Sequence, residues 1–411
     1  MYLSNIIKEA EQYLSVQKVV SQKVIESYGG INHLCFGENI EYMKWALRDG
    51  YKGKVDLIYI DPPFFSGSDY KSVISLPTDD KIQIKSYEDV WNNNIHEYLV
   101  NLAARILCMK ELLSSSGTIW LHLDYHVVHY AKIIMDEIFG MNNFVNEIIW
   151  HYKSGGSGKR HFSRKHDNIL VYSKTKDYYF DVPKEKSYNR NFKPYRFKNV
   201  NEYEDDLGWY TLVKMKDVWS LDMVGRTSAE RTGYATQKPL SLMKRIIESA
   251  SPKGGLCADF FAGSGSFLVG ASQLERKWIG CEAGKSARVY LLKRLLKENI
   301  SFDIQSHDDF QDMTDFDVPE LSKKDKEKIK RALHDGEKVH EAVISYDFDY
   351  DGRLHKDRLH CFFRDESEEV SLKSNTSIVK YDILGNRRHI IRYKEEIPGE
   401  ELVIDNEKIK D

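Results

Sequence analysis

Two short stretches of this chain set reactive residue types beside elements able to hold them still. The first is IYIDPPF, Ile58 to Phe64. A carboxylate (Asp61), the main-chain carbonyl of Pro62 and an aromatic ring (Phe64) follow directly on an apolar run. Adjacent acceptors suit an exocyclic amine on a nucleobase, whose lone pair is delocalised into the ring. Hydrogen bonds from its two N–H groups to Asp61 and Pro62 would favour the pyramidal geometry needed for attack. Pro62 and Pro63 fix φ near about −65° and remove backbone donors, which steadies those acceptors. Phe64 can stack on an extruded base, a contact worth ~1–3 kcal/mol. Without a ligand, the same residues would make a rigid strand-to-loop turn.

The second stretch is ADFFAGSGS, Ala258 to Ser266. It carries Asp259, Phe260, Phe261 and Ser264 around Gly263 and Gly265, and the glycines let a ligand approach the backbone closely. No Gly-Lys-Ser/Thr follows, so it is not a phosphate loop, and the third glycine of a dinucleotide fingerprint is missing. About twenty residues on, KWIGCE ends in Glu282, where an acidic side chain suits ribose hydroxyls. A third stretch, YATQKP (Tyr234 to Pro239), precedes a helix. Pro239 there has a structural explanation, while Lys238 can pair with a ligand carboxylate.

These residues need elements to position them. VDLIYI (Val55–Ile60) is short and nearly all apolar, the pattern of a strand buried on both faces of a parallel sheet. A helix over about 95–113, a strand at Thr118–Leu123, a helix over about 126–139, and strands at Phe144–His151 and Asn168–Ser173 follow. After Lys238 the alternation resumes: a helix to Ala250, a strand Leu256–Phe260, a helix to Leu274, a strand Trp278–Cys281, a helix to Glu298. The pattern predicts an α/β fold, a doubly wound Rossmann-like sheet. The expected divisions are an N-terminal helical segment (1–30), one half of the α/β domain (31–174), an irregular inserted module (175–231), the second half (232–300) and a small α+β domain (301–411). In that tail a charged helix is expected near Leu321–Asp335, with strands at Val343–Tyr350, Leu359–Phe363, Thr376–Tyr381 and His389–Tyr393.

With 411 residues, 30% charged and 41% hydrophobic, the chain has the balance of a soluble globular protein. No apolar run approaches a membrane span and no signal-peptide core is evident, so a cytoplasmic location is expected. Cys35, Cys108, Cys257, Cys281 and Cys361 are far apart and lack a C-x-x-C pair, which predicts buried thiols and no metal site. The net charge of −3 hides a local excess: residues 151–200 hold 13 Lys/Arg against 4 Asp/Glu. A polyanion would dock there.

Together LCFGEN, VDLIYIDPPF, DEIFG (Asp136–Gly140), HDNILVYSK (His166–Lys174), ERTGYATQKP, DFFAGSGS and WIGCE resemble, in type and order, the β class of amino-group DNA methyltransferases. The likeness runs from about Leu34 to Lys297 and is nearest the modification subunits of Type III restriction–modification systems. It implies S-adenosyl-L-methionine as cofactor and direct methyl transfer to the N6 amine of a flipped adenine in double-stranded DNA. It implies a base pocket of Asp61, Pro62, Pro63 and Phe64. The cofactor cleft would comprise Glu38, Asn39, Thr236, Gln237, Lys238, Asp259, Phe260, Phe261, Gly263, Ser264, Gly265 and Glu282. The family usually has Asp at the position of Glu38 and Tyr at that of Phe64. Target recognition would fall in the segment from about His151 to Arg231, which includes the basic stretch, with Lys159, Arg160, Arg164 and Lys165 on phosphates and Arg190, Arg196 and Arg226 as candidate base readers. A homodimer and a restriction or other defence subunit are the further expected partners. Cytosine N4 methylation, or a non-catalytic DNA-binding subunit, are the alternatives.

Overall fold

The computed structural model describes residues 2–75, 81–89, 91, 94–154, 158–225 and 227–307, and beyond them 324, 328, 342–347, 360–362, 376–381 and 387–392. The chain opens with α1 (Tyr2–Val16), which buries Ile6 and Ala10, four residues apart on one face. Here the expected helical segment over 1–30 is corrected: the next element is a strand, β1 (Gln22–Ser27). Its adjacent β-branched Val24 and Ile25 favour that state, and pairing with a late strand at the sheet edge supplies the hydrogen bonds. There follow β2 (His33–Phe36), α2 (Asn39–Arg48) and β3 (Val55–Ile60). An antiparallel hairpin that the sequence pattern did not announce comes next, β4 (Asp69–Ser75) with β5 (Lys81–Glu88).

The remaining elements of the first half are α3 (Ile95–Leu112), β6 (Leu113–Leu123), α4 (Val128–Phe139), β7 (Phe144–His151) and β8 (His166–Ser173). The side chain of Asn94 caps α3 by accepting from the Glu97 amide at 3.2 Å. The inserted region is more regular than expected, with β9 (Lys184–Tyr188), β10 (Glu202–Asp205) and β11 (Gly208–Lys214) in a three-stranded antiparallel sheet. Its residues are half-buried at best on both faces, which removes the apolar alternation that would have betrayed it. Cross-strand rings (Tyr188–Tyr210 at 5.6 Å, Tyr203–Tyr210 at 5.7 Å) and Asp205, which accepts from Lys186 Nζ at 2.6 Å and Tyr188 OH at 2.9 Å, hold it together. Then come β12 (Val218–Ser220), α5 (Leu240–Ala250), β13 (Leu256–Asp259), α6 (Ser266–Gln273), β14 (Lys277–Glu282), α7 (Lys285–Lys297) and β15 (Asp303–His307).

Ten strands form one sheet in the order β1-β15-β2-β14-β13-β3-β6-β8-β7-β12, parallel from β15 through β6. β15 lies inside this sheet, so residues 303–307 belong with it and not with the tail. From Leu57 onward the side chains of β3 alternate between two cores, and a register shift between Val55 and Leu57 leaves Val55 on the same side as Ile58. Val55, Ile58 and Ile60 pack with the side holding α2, α3 and α4, and Leu57 and Tyr59 with the side holding α5, α6 and α7. Fully burying such a side chain is worth roughly 1.5–3 kcal/mol, and each of these five is at most 2% exposed. Helices on both faces make the fold the doubly wound α/β type.

The chain leaves β3 towards β6 on one side and enters β13 on the other. The gap between the C-terminal ends of β3 and β13 is therefore the topological switch point, where ligands bind in open α/β sheets. The tail strands β16 (Ala342–Asp347), β17 (His360–Phe362), β18 (Thr376–Tyr381) and β19 (Arg387–Arg392) form a separate four-stranded antiparallel sheet. The helix expected near Leu321–Asp335 falls, apart from helical Lys324 and Lys328, outside the described residues. Among the described residues no helix is long and apolar enough to cross a membrane.

Candidate active site

Parallel pairing brings the chemistry to one edge. β3 delivers Asp61, β13 ends at Asp259, β14 ends at Glu282, and β2 leads through Gly37 to Glu38. Between them lies a cavity of about 420 Å³, within the ~300–1,000 Å³ usual for small-ligand sites. Its walls include Glu38, Asn39, Asp61, Pro63, Thr236, Lys238, Asp259, Phe260, Phe261, Gly263, Ser264 and Glu282. Stretches some 200 residues apart in sequence thus share one space.

Four expected residues lie outside those walls. Gln237 braces its own loop, its carbonyl oxygen accepting from the Thr232 amide at 2.8 Å and its amide donating to Glu230 O at 2.6 Å. Gly265 is the N-cap of α6 with φ +74°, and a Cβ there would sit 2.3 Å from Leu291 Cδ1, so its glycine serves backbone shape and packing. Pro62 is buried. Phe64 stands beside the cavity, its ring 5.9 Å from that of His122.

The electrostatics centre on Asp61. Its Oδ2 accepts from Lys238 Nζ, and the two side chains are 17% and 11% exposed. Its Oδ1 is buried and has no hydrogen-bond partner among the described residues. Lys238 also lies 5.4 Å from the Phe64 ring centroid. Burial pushes the Asp259 carboxyl well above the usual carboxylate range, aided by the charges of Asp61 and Glu282. Its Oδ1 accepts from the Phe261 amide at 3.0 Å. Burial likewise raises Glu282, against the pull of the Gly284 and Gly263 amides, each 2.6 Å from one carboxylate oxygen.

The opposite wall is a fixed network. Glu38 caps α2 through the Ile40 and Glu41 amides and pairs with Arg105. Asn39 bridges Phe260 O (3.0 Å) and Arg105 Nε (2.8 Å). Gly263 has φ +51°, and a Cβ there would come within 3.3 Å of the Tyr234 ring.

Several residues at this edge were not singled out from the sequence. Asp89, fully buried, accepts from the amides of Phe64 (3.0 Å), Phe65 (2.9 Å) and Ser66 (2.7 Å). Tyr98 OH donates to Pro63 O at 2.8 Å. His122, fully buried, contacts Tyr59 OH at 2.8 Å and Asp167 Oδ2 at 3.2 Å, and Tyr152 OH donates to Asp167 Oδ1 at 3.0 Å. Burial acts to raise Asp167, but the hydrogen bond and charge of His122, with Lys238, leave its carboxyl below the usual range. A polar His122 inside the apolar run Ile119–Leu123 was the one available signal, because a buried polar group needs partners. Asp89 carried none.

Because β8 runs antiparallel to β6, the β7–β8 loop emerges at this same edge. Lys159 and Arg160 are exposed on it. Arg164 stacks 4.0 Å over the Tyr125 ring and bonds its hydroxyl, and Lys165 donates to Ser154 O at 2.9 Å. Arg190 and Arg196 are exposed near the three-stranded sheet, where the Arg196 amide donates to Glu202 at 2.7 Å. Arg226 lies outside the described residues.

A family model for DNA methylases of the N6/N4 class matches residues 55–294. The chain is 27% identical over 325 residues to the Type II methyltransferase M.EcaI of Enterobacter cloacae, covering 64% of this chain and 69% of that protein. It is 28% identical over 258 residues to the Type II methyltransferase M.HpaI of Haemophilus parainfluenzae, covering 63% and 73%. Over 155 residues it is 26% identical to the Mod subunit of the Type III restriction-modification enzyme EcoP15I of Escherichia coli, covering 34% of this chain and 24% of that subunit. Since the family match takes in more than half of the chain and spans both halves of the cavity, the protein belongs to the N6/N4 DNA methylases, enzymes that use S-adenosylmethionine as methyl donor.

Proposed function

We propose that this enzyme methylates the N6 amine of an adenine extruded from double-stranded DNA, at a site read by its basic inserted region, in a restriction–modification setting. The observation that carries the reading is the buried Oδ1 of Asp61 beside the cavity, unpartnered among the described residues. An unsatisfied buried acceptor is costly, and an amine N–H would satisfy it. Lys238 holds Oδ2 of the same carboxylate, which fixes its orientation before any base arrives.

The residues present suit S-adenosylmethionine. Glu282 is anchored by two amides and keeps further lone pairs for ribose hydroxyls, and the bare Gly263 backbone admits a close ligand. When bound, the cofactor supplies an electrophilic methyl group on a positively charged sulfonium. Asp61 and the Pro62 carbonyl accept hydrogen bonds from the amine's two N–H groups and turn its lone pair out of conjugation. As the N–C bond forms and the methyl–sulfur bond breaks, the Asp61 carboxylate stabilises the positive charge developing on that nitrogen, in a partly buried site where such contacts are strong, and accepts the proton that the methylated nitrogen then releases. Phe64, steadied against His122, offers a face for the base. Asp rather than Ser before the proline pair favours adenine over cytosine. Nucleoside mass spectrometry of DNA from a host expressing the chain tests this. N6-methyladenine is expected; N4-methylcytosine would refute the base, and no methylated base would refute the reading.

The same proposal has the enzyme working in the cytoplasm as a homodimer, with Lys159, Arg160, Arg164 and Lys165 on phosphates and Arg190, Arg196 and Arg226 as base-reading candidates. Light scattering at micromolar concentration with DNA present should give twice the chain mass, and a monomer mass would remove the dimer.

A further inference from the structure

We propose that Asp89 is a positioning residue for methyl transfer: its carboxylate gathers three consecutive amides of the loop after Asp61 and so sets the Pro62 carbonyl and the Phe64 ring against the target base. The proposal rests on the reading of residues 61–64 as the base pocket. Asp89 is fully buried, and its two oxygens accept from Phe64, Phe65 and Ser66 at 2.7–3.0 Å. Successive amides converging on one point form an anion-binding nest; here the anion is built into the chain. Neither party is stable alone. A buried carboxylate without donors is strongly disfavoured, and the loop needs enforcement because Phe65 sits at φ +60°, a conformation disfavoured for a bulky side chain. The main chain reinforces the grip, Gly67 N donating to Asp89 O and Asp89 N to Ser68 O, both at 3.2 Å.

The location gives this clamp its functional meaning. Pro62 and Pro63 have no amide hydrogens, so nothing can be held through their nitrogens. The loop is held instead just downstream, by Asp89 at residues 64–66 and by Tyr98 at the Pro63 carbonyl. Release at Asp89 would let Phe64 and the Pro62 carbonyl drift while leaving Asp259, Gly263 and Glu282, which belong to the second half, in place.

The test compares Asp89→Asn and Asp89→Ala in the full chain, measuring kcat on DNA, S-adenosylmethionine Kd by calorimetry, and thermal melting. Asparagine keeps one acceptor oxygen but turns an amide towards backbone donors, so a graded loss is expected: about tenfold in kcat for Asn and about a hundredfold for Ala, as for small misplacements of reacting groups. Cofactor Kd should stay within about twofold in both, since binding and chemistry are separable. Wild-type kcat in a folded Asp89→Asn variant would overturn the proposal, and so would cofactor affinity falling in step with kcat, the mark of a purely structural role. If Asp89→Ala does not fold, Asp89→Asn decides alone. Substantial turnover by Asp61→Ala would defeat the base-pocket reading itself, whereas an inactive Asp61→Ala beside fully active Asp89 variants would defeat only this inference.

Discussion

Replacing Asp61 by Ala removes two interactions at once, and the structure lets their sizes be separated. Oδ1 is buried and, among the described residues, unpartnered, poised for a charged hydrogen bond from the amine. Such a bond is worth ~1.5–3 kcal/mol, and ~1.4 kcal/mol is tenfold in rate, so its loss alone predicts a fall in kcat of about 10- to 150-fold. Loss of the acceptor that orients the amine adds up to about another hundredfold. The second interaction is the ion pair with Lys238, 11% exposed. Both side chains border a solvent-reachable cavity, so the stability cost falls between the ~0–1 kcal/mol of an exposed pair and the ~3–5 kcal/mol of a fully buried one. At about 2–4 °C per kcal/mol the variant should melt several degrees lower and still be folded at assay temperature.

The freed Lys238 ammonium faces the cavity, so cofactor affinity should hold or rise. Asp61→Asn keeps an acceptor at Oδ1 but sets an amide against Lys238, and its rate should lie between the two. The assay is initial-rate transfer of labelled methyl groups to unmodified genomic DNA, with calorimetry for the cofactor. Turnover by folded Asp61→Ala within about threefold of wild type is too small a change for a lost transition-state contact and would refute the reasoning.

Three further expectations concern the surrounding structure. Gly263→Val should lose S-adenosylmethionine binding, because residue 263 is in the left-handed region and a side chain would press on Tyr234 and fill the cavity wall; unchanged calorimetric affinity in a folded variant would rule this site out. The Arg164→Ala, Lys165→Ala double variant should bind all DNA sequences more weakly and lower the salt slope by up to about two in fluorescence anisotropy; a loss confined to one sequence would make these residues base readers. Burial raises the Asp259 and Glu282 carboxyls, so the folded chain holds protons that the unfolded chain has released. Their contribution to stability is therefore full below the ordinary carboxylate range and is lost as pH climbs through the raised folded values. Asp259→Asn, which can still accept from Phe261, should flatten that decline in melting temperature, and an equal or steeper decline would contradict the assignment.

Most of the sheet and the two motifs beside it are legible along the chain. Runs such as Val55–Ile60 and Leu256–Asp259 carry few polar residues because both faces of a central parallel strand are covered, and that is a local, readable property. The sequence could not announce the β9–β11 sheet, whose half-exposed strands lack a one-sided pattern, and β1 and the β4–β5 hairpin are defined by whom they pair with. Nor does composition reveal where the large sheet ends, because β15 joins it only by pairing with β2 and β1. At the site, Asp61, Gly263 and Glu282 stood out because special residue types followed apolar strands. Only folding brings Lys238 to Asp61 across 177 residues, sets Gln237 and Gly265 to brace the loops, and places Asp89 on residues 64–66. Those contacts depend on which strand ends lie next to each other, and that order is set by the packing of helices on both faces of the sheet, which no short stretch of sequence encodes.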